Sequence, residues 1–86
     1  MPDYSLAIKQ SAQKELDSLD DTVFARIDRK VLPLADNPRP GGCKKLKGHK
    51  DLWRIRIGDY RVICAIDDAA RTVIVTHVAH RREVYE

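Results

Sequence analysis

The feature that most constrains this chain is a change of period. Up to Leu34 the apolar side chains, after a short alternating start, recur at spacings of three and four; from Leu52 onward they recur at every second residue. Between the two regimes lies Asn37-Pro38-Arg39-Pro40-Gly41-Gly42, which continues neither. Spacings of three and four put side chains on one stripe of a helix, and a spacing of two puts them on one face of a strand. The first half therefore reads as helical and the second as sheet, which is the α+β class.

The order of elements follows from the same pattern. Tyr4, Leu6 and Ile8 alternate with Ser5, Ala7 and Lys9, a short strand with one half-buried face. From Gln10 to Leu19, the residues Ala12, Leu16 and Leu19 fall on one stripe of a short helix. Asp20-Asp21-Thr22 supplies N-cap candidates for a second helix, whose apolar face is Val23, Phe24, Ile27, Val31, Leu32 and Leu34. Pro33 offers no N–H to the carbonyl of Arg29, so the last turn should kink or shorten there. After the Pro/Gly segment, Leu52 to Ile57 and Tyr60 to Ile66 read as strands joined by Gly58-Asp59, whose leading glycine suits a type II′ turn. Asp67 to Arg71 makes the next turn, and Thr72 to Val78 a last strand before a polar tail from His80 to Glu86. The expectation is an N-terminal strand, a helical hairpin, then a three- to four-stranded antiparallel meander with the helices on one sheet face. A chain of 86 residues leaves room for one domain, 1–86.

The two-residue turn also fixes a register. With Gly58 and Asp59 at the turn, Ile57 faces Tyr60, Arg56 faces Arg61, Ile55 faces Val62, Arg54 faces Ile63 and Trp53 faces Cys64. One face then carries Trp53, Ile55, Ile57, Tyr60, Val62 and Cys64, suited to lie under the helices; the other carries Arg54, Arg56, Arg61 and Ile63 on the solvent side. Like charges directly opposite one another destabilise a sheet, so folding gives no reason to set Arg56 against Arg61. A phosphate does, because guanidiniums donate bidentate bonds to its oxygens.

Charge is distributed to match. Residues 1–36 hold five basic and seven acidic side chains, whereas Arg39 to Arg61 hold eight basic and two acidic ones, within a formal net charge of +3 for the chain. The second half is thus the side for an anionic partner. Lys44, Lys45, Lys47, His49 and Lys50 read either as a lysine-protected edge or as a positive track along a nucleic-acid backbone. The tail adds His80, whose imidazole ordinarily titrates near neutrality, with Arg81, Arg82 and the aromatic Tyr85. His77, inside the last strand, reads as structural. Cys43 reads as a loop thiol and Cys64 as a core residue, since two cysteines without a suitably spaced His pair make no zinc site. No apolar run approaches the roughly 18 residues of a membrane span, and the start lacks a signal-like pattern, so a cytoplasmic protein with no membrane partner is expected.

Leu46-Lys47-Gly48, the hairpin Leu52-Trp53-Arg54-Ile55-Arg56-Ile57-Gly58-Asp59-Tyr60-Arg61-Val62-Ile63 and the ending His80-Arg81-Arg82-Glu83-Val84-Tyr85 resemble the RelE branch of the RelE/ParE toxin superfamily. Asn37-Pro38-Arg39 and the strand-helix-helix start fit as well. The resemblance implies the toxin of a toxin-antitoxin pair, bound by a cognate antitoxin, that enters the ribosomal A site and cuts mRNA there. It implies no metal and no other cofactor: the ribose 2′-OH attacks its adjacent phosphate, leaving a cyclic or 3′-phosphate and a free 5′-OH. The family's functional positions map to Arg54, Arg56, Arg61, Arg81 and Tyr85, with the lysine track and Arg82 as RNA contacts. Some members carry lysines where this chain has Arg54 and Arg56, and an arginine does not give up its proton. The general base is therefore open, with His80 a candidate. Two alternatives stand beside this reading: a ParE-like inhibitor of DNA gyrase, and a non-catalytic module that binds nucleic acid or only its antitoxin.

Overall fold

The computed structural model describes residues 3–80. The chain runs β1 (Ser5–Ile8), α1 (Gln10–Asp17), α2 (Asp21–Val31), a 3-10 turn (Leu32–Ala35), β2 (Lys44–Lys45), β3 (Leu52–Ile57), β4 (Tyr60–Asp67) and β5 (Thr72–His80). β2 to β5 form the expected antiparallel meander. β1 adds to it in parallel beside β5, giving a mixed sheet ordered β1-β5-β4-β3-β2. The helical pair carries the chain from β1 at one edge of the sheet to β2 at the other, and the meander then returns strand by strand until β5 lies beside β1.

The helix ends have local causes. The carboxylate of Asp20 accepts from the Val23 N–H at 2.9 Å and caps α2. α1 stops two residues before Leu19, because Ser18 turns its hydroxyl back onto the Glu15 carbonyl at 2.7 Å. Leu19 still packs on the core from outside the helix. At Pro33 the last turn tightens into the 3-10 turn, and the Pro33 carbonyl accepts from Asp36 and Asn37, both at 3.0 Å.

The core lies between the helices and one sheet face. Ala12 and Leu16 of α1, Ile27 and Val31 of α2, and Leu34 meet Ile55, Ile57, Val62, Cys64, Val73 and Val75. Each large side chain fully buried there contributes roughly 1.5–3 kcal/mol. The Pro/Gly segment is tied to this layer by Arg39. Its guanidinium stacks 4.7 Å from the Trp53 ring centroid and makes two hydrogen bonds, at 3.0 and 2.9 Å, to Asp68 in the β4–β5 turn. Among the described residues no helix is long and apolar enough to cross a membrane.

Candidate nucleic-acid interface

The β3–β4 hairpin positions the central residues. Gly58 has φ +59°, and Asp59 is not in the left-handed region, which is the type II′ pattern. The register is the one the turn dictates: Ile57↔Tyr60, Arg56↔Arg61, Ile55↔Val62, Arg54↔Ile63 and Trp53↔Cys64. Alternation therefore brings Arg54, Arg56 and Arg61 to the sheet face that the helices do not cover. On β5, Ala79 lies beside Arg61 and His77 beside Ile63.

The expected solvent exposure of this face is corrected at one residue. Arg56 is exposed and Arg61 half-buried, but Arg54 is 6% exposed. On the same face Ile63 and Ala79 form a small second apolar cluster packed by Leu46 and Leu52, so this side of the sheet is not open to solvent throughout. The Nε atoms of Arg54 and Arg61 are both cut off from solvent. Burial, then the charges of Arg61 and Arg56, hold the Arg54 guanidinium below the usual arginine value. Three cations are thus held together in a partly dry setting, where an anion gains most from them.

The lysine track divides. Lys44 stands beside Arg54 across β2–β3 and extends the arginine face; Lys45 stands beside Trp53, on the other face by alternation. Lys47, His49 and Lys50 are exposed on the turn that follows, held by the Leu46 N–H to the Leu52 carbonyl at 3.0 Å. Lys45 to Lys50 line a shallow open depression of about 440 Å³. Among the described residues another open cavity, of about 670 Å³, lies at the far end beside Tyr4, Leu6 and Arg71, away from the arginine face.

The histidines are placed differently from what their order along the chain suggests. His80 pairs with Tyr60, so it belongs to the helix side, and the two rings meet edge to face at 5.5 Å between centroids. His77 belongs to the arginine side by register because Thr76 bulges out of β5 opposite Ile63/Cys64 and shifts the alternation. Its Nδ1 lies 3.1 Å from the Glu15 carboxylate, which also accepts from the Val78 N–H at 3.3 Å, where β5 has run past the end of β1. Arg81, Arg82 and Tyr85 lie outside the described residues. Arg29 and Lys30, which their helical spacing gave no reason to single out, border a cavity together with Arg56.

A family model described as the ParE toxin of type II toxin-antitoxin systems, parDE, matches residues 6–85. The chain is 35% identical over 83 residues to the toxin RelE of Mycobacterium tuberculosis, an alignment that spans 95% of this chain and 86% of that protein. In three dimensions it is similar to the archaeal RelE-RelB complex from Pyrococcus horikoshii OT3, with a TM-score of 0.83, 28% identity, and coverage of 95% of this chain and 99% of that one. The isolated Escherichia coli RelE toxin superposes with a TM-score of 0.78 at 28% identity, covering 90% of this chain and 83% of that one.

Proposed function

Because the chain belongs to the ParE toxin family of type II toxin-antitoxin systems, and is a RelE-like toxin within it, we propose that it is a ribosome-dependent endoribonuclease that cuts mRNA and so arrests translation. The observation that carries this reading is the Arg54, Arg56 and Arg61 face, in which three guanidiniums share one side of one hairpin and the innermost is desolvated. Like charges set opposite one another weaken a sheet, whereas a phosphate passing to a pentacoordinate transition state gains a great deal from them.

In the proposed reaction the 2′-oxygen of the ribose forms a bond to the adjacent phosphorus as the bond to the 5′-oxygen breaks. The products are a 2′,3′-cyclic phosphate and a free 5′-OH. Arg61 and Arg56 bind the non-bridging oxygens and balance the charge that grows on them. Arg54, buried on the same face, adds its charge to the field of that pair. Arg81 donates a hydrogen bond to the leaving 5′-oxygen, which takes its proton from water, and Tyr85 stacks on a base, as in the family pattern these positions match. No metal takes part in this scheme. The helix-side position of His80 sets it apart from the guanidiniums, so proton removal from the 2′-OH is assigned to the ribosome-bound RNA and water.

The RelE toxins of Pyrococcus horikoshii and Escherichia coli have been solved with RelB antitoxins, and a cognate antitoxin is proposed for this chain on that basis. A gyrase inhibitor on the same fold is the rival. The opposed arginines favour RNA cleavage, since gyrase inhibition needs no clustered phosphate donors. Arg61→Ala tests the proposal with purified ribosomes and a defined message. Cleavage should fall by about 100-fold or more, as for loss of one transition-state donor, with an unchanged far-ultraviolet dichroism spectrum. Full-rate cleavage by the variant overturns the assignment.

A further inference from the structure

A cavity of about 290 Å³ opens between the end of α2 and the edge of β3, lined by Arg29, Lys30, Pro33, Pro40, Gly41 and Arg56 among others. Its existence follows from the pairing of β2, which reaches only Trp53 and Arg54, leaving β3 without a strand neighbour on that side from Ile55 onward. Arg39 holds the Pro40-Gly41 wall in place through Asp68 and Trp53. A Cβ added at Gly41 would meet nothing within 4 Å, so the wall leaves the cavity open there.

Arg29, Lys30 and Arg56 are all exposed, and none of them forms an ion pair or side-chain hydrogen bond with a described residue. The negative end of the α2 dipole accounts for basic residues in its last turn. It accounts neither for Arg56, which comes from the sheet, nor for the open space the three enclose. We propose that Arg29, Lys30 and Arg56 form a second anion subsite, which takes an RNA phosphodiester next to the one held on the arginine face. Arg56 belongs to both sites and links them, so the strand leaves the sheet face over the β3 edge toward α2. This deepens the proposed function and rests on it.

The test is binding by the full chain, wild type against the double variant Arg29→Gln/Lys30→Gln, read over a range of salt. One arm uses a single-stranded RNA oligonucleotide with 2′-O-methyl riboses, which resists cleavage; the other uses vacant ribosomes without message. The double variant should bind about ten-fold more weakly in at least one arm, with a salt slope smaller by about 0.7 for each single-strand phosphate it no longer neutralises. Arg29→Lys/Lys30→Arg should bind as wild type does. A loss in the oligonucleotide arm assigns the phosphate to the message, and a loss only in the ribosome arm assigns it to ribosomal RNA; both support the subsite. Unchanged affinity and slope in both arms, with unchanged melting, overturn it. So does a variant that loses affinity only for its antitoxin. Because these arms read binding alone, a wild-type protein that cuts no message but shows the loss refutes the nuclease reading and keeps the subsite. Cleavage by wild type with no binding loss in the variant does the reverse.

Discussion

Arg56 on β3 and Arg61 on β4 stand directly opposite each other, two permanent cations in the cross-strand relation where a sheet least accommodates them. Replacing Arg56 with threonine, which suits an exposed strand position, should stabilise the fold by about 0.5 kcal/mol, within the range for cross-strand pairs. The urea midpoint should rise while ribosome-dependent cleavage falls. A lower midpoint would show that the pair supports the fold rather than straining it for function.

The contact of Arg39 with Asp68 and Tyr4 gives the fold a pH dependence at both ends. The Arg39 guanidinium first, and the Tyr4 hydroxyl second, hold the Asp68 carboxyl below the usual carboxylate range. Its contribution is therefore present above the unfolded carboxylate value and is lost as pH falls through the depressed folded value. The Tyr4 hydroxyl donates to Asp68 at 2.7 Å, and that bond raises its pKa above 10.0, so its contribution is lost on the alkaline side. Asp68→Asn should lower the melting temperature at pH 7, and the gap to wild type should close in strong acid. Tyr4→Phe should remove the alkaline loss and, because the hydroxyl also helps hold Asp68 down, make the acid-side loss smaller.

Cys64 is fully buried, and burial first, with Cys43 second, pushes its thiol up to about 12. Cys43 is half-exposed, and both thiols are free. Alkylation of the native protein at pH 8 should label Cys43 and spare Cys64, with both labelled in denaturant. Labelling of Cys64 at the same rate as Cys43 in the native protein would mean that the sheet opens far more readily than its packing implies.

The legible parts of the molecule are those with a strong local cause. Gly58-Asp59 gives the hairpin its register residue by residue, and with it the arginine face; Asp20 and Pro33 mark the start and end of α2. The less legible parts depend on contacts distant in sequence. β1 pairs with residues nearly 70 positions away, and nothing in Ser5 to Ile8 states its neighbour. Arg54 looks exposed by alternation and is buried, on a face where Leu46, from a segment read only as charged, packs on Ile63. One bulged residue, Thr76, reverses the faces that simple alternation along β5 would give His77 and His80, and the β-branched run from Thr72 carries no mark of where such a bulge falls. Arg29 and Lys30 meet Arg56 only after α2 has been laid against the sheet.

The central claim is that the arginine face cleaves mRNA on the ribosome. Primer extension on a message under translation, with wild-type protein and with ribosomes present or withheld, tests it most directly. Codon-spaced breaks are expected that need ribosomes and that disappear with Arg61→Ala. An intact message, together with inhibition of gyrase supercoiling by the same preparation, would contradict it.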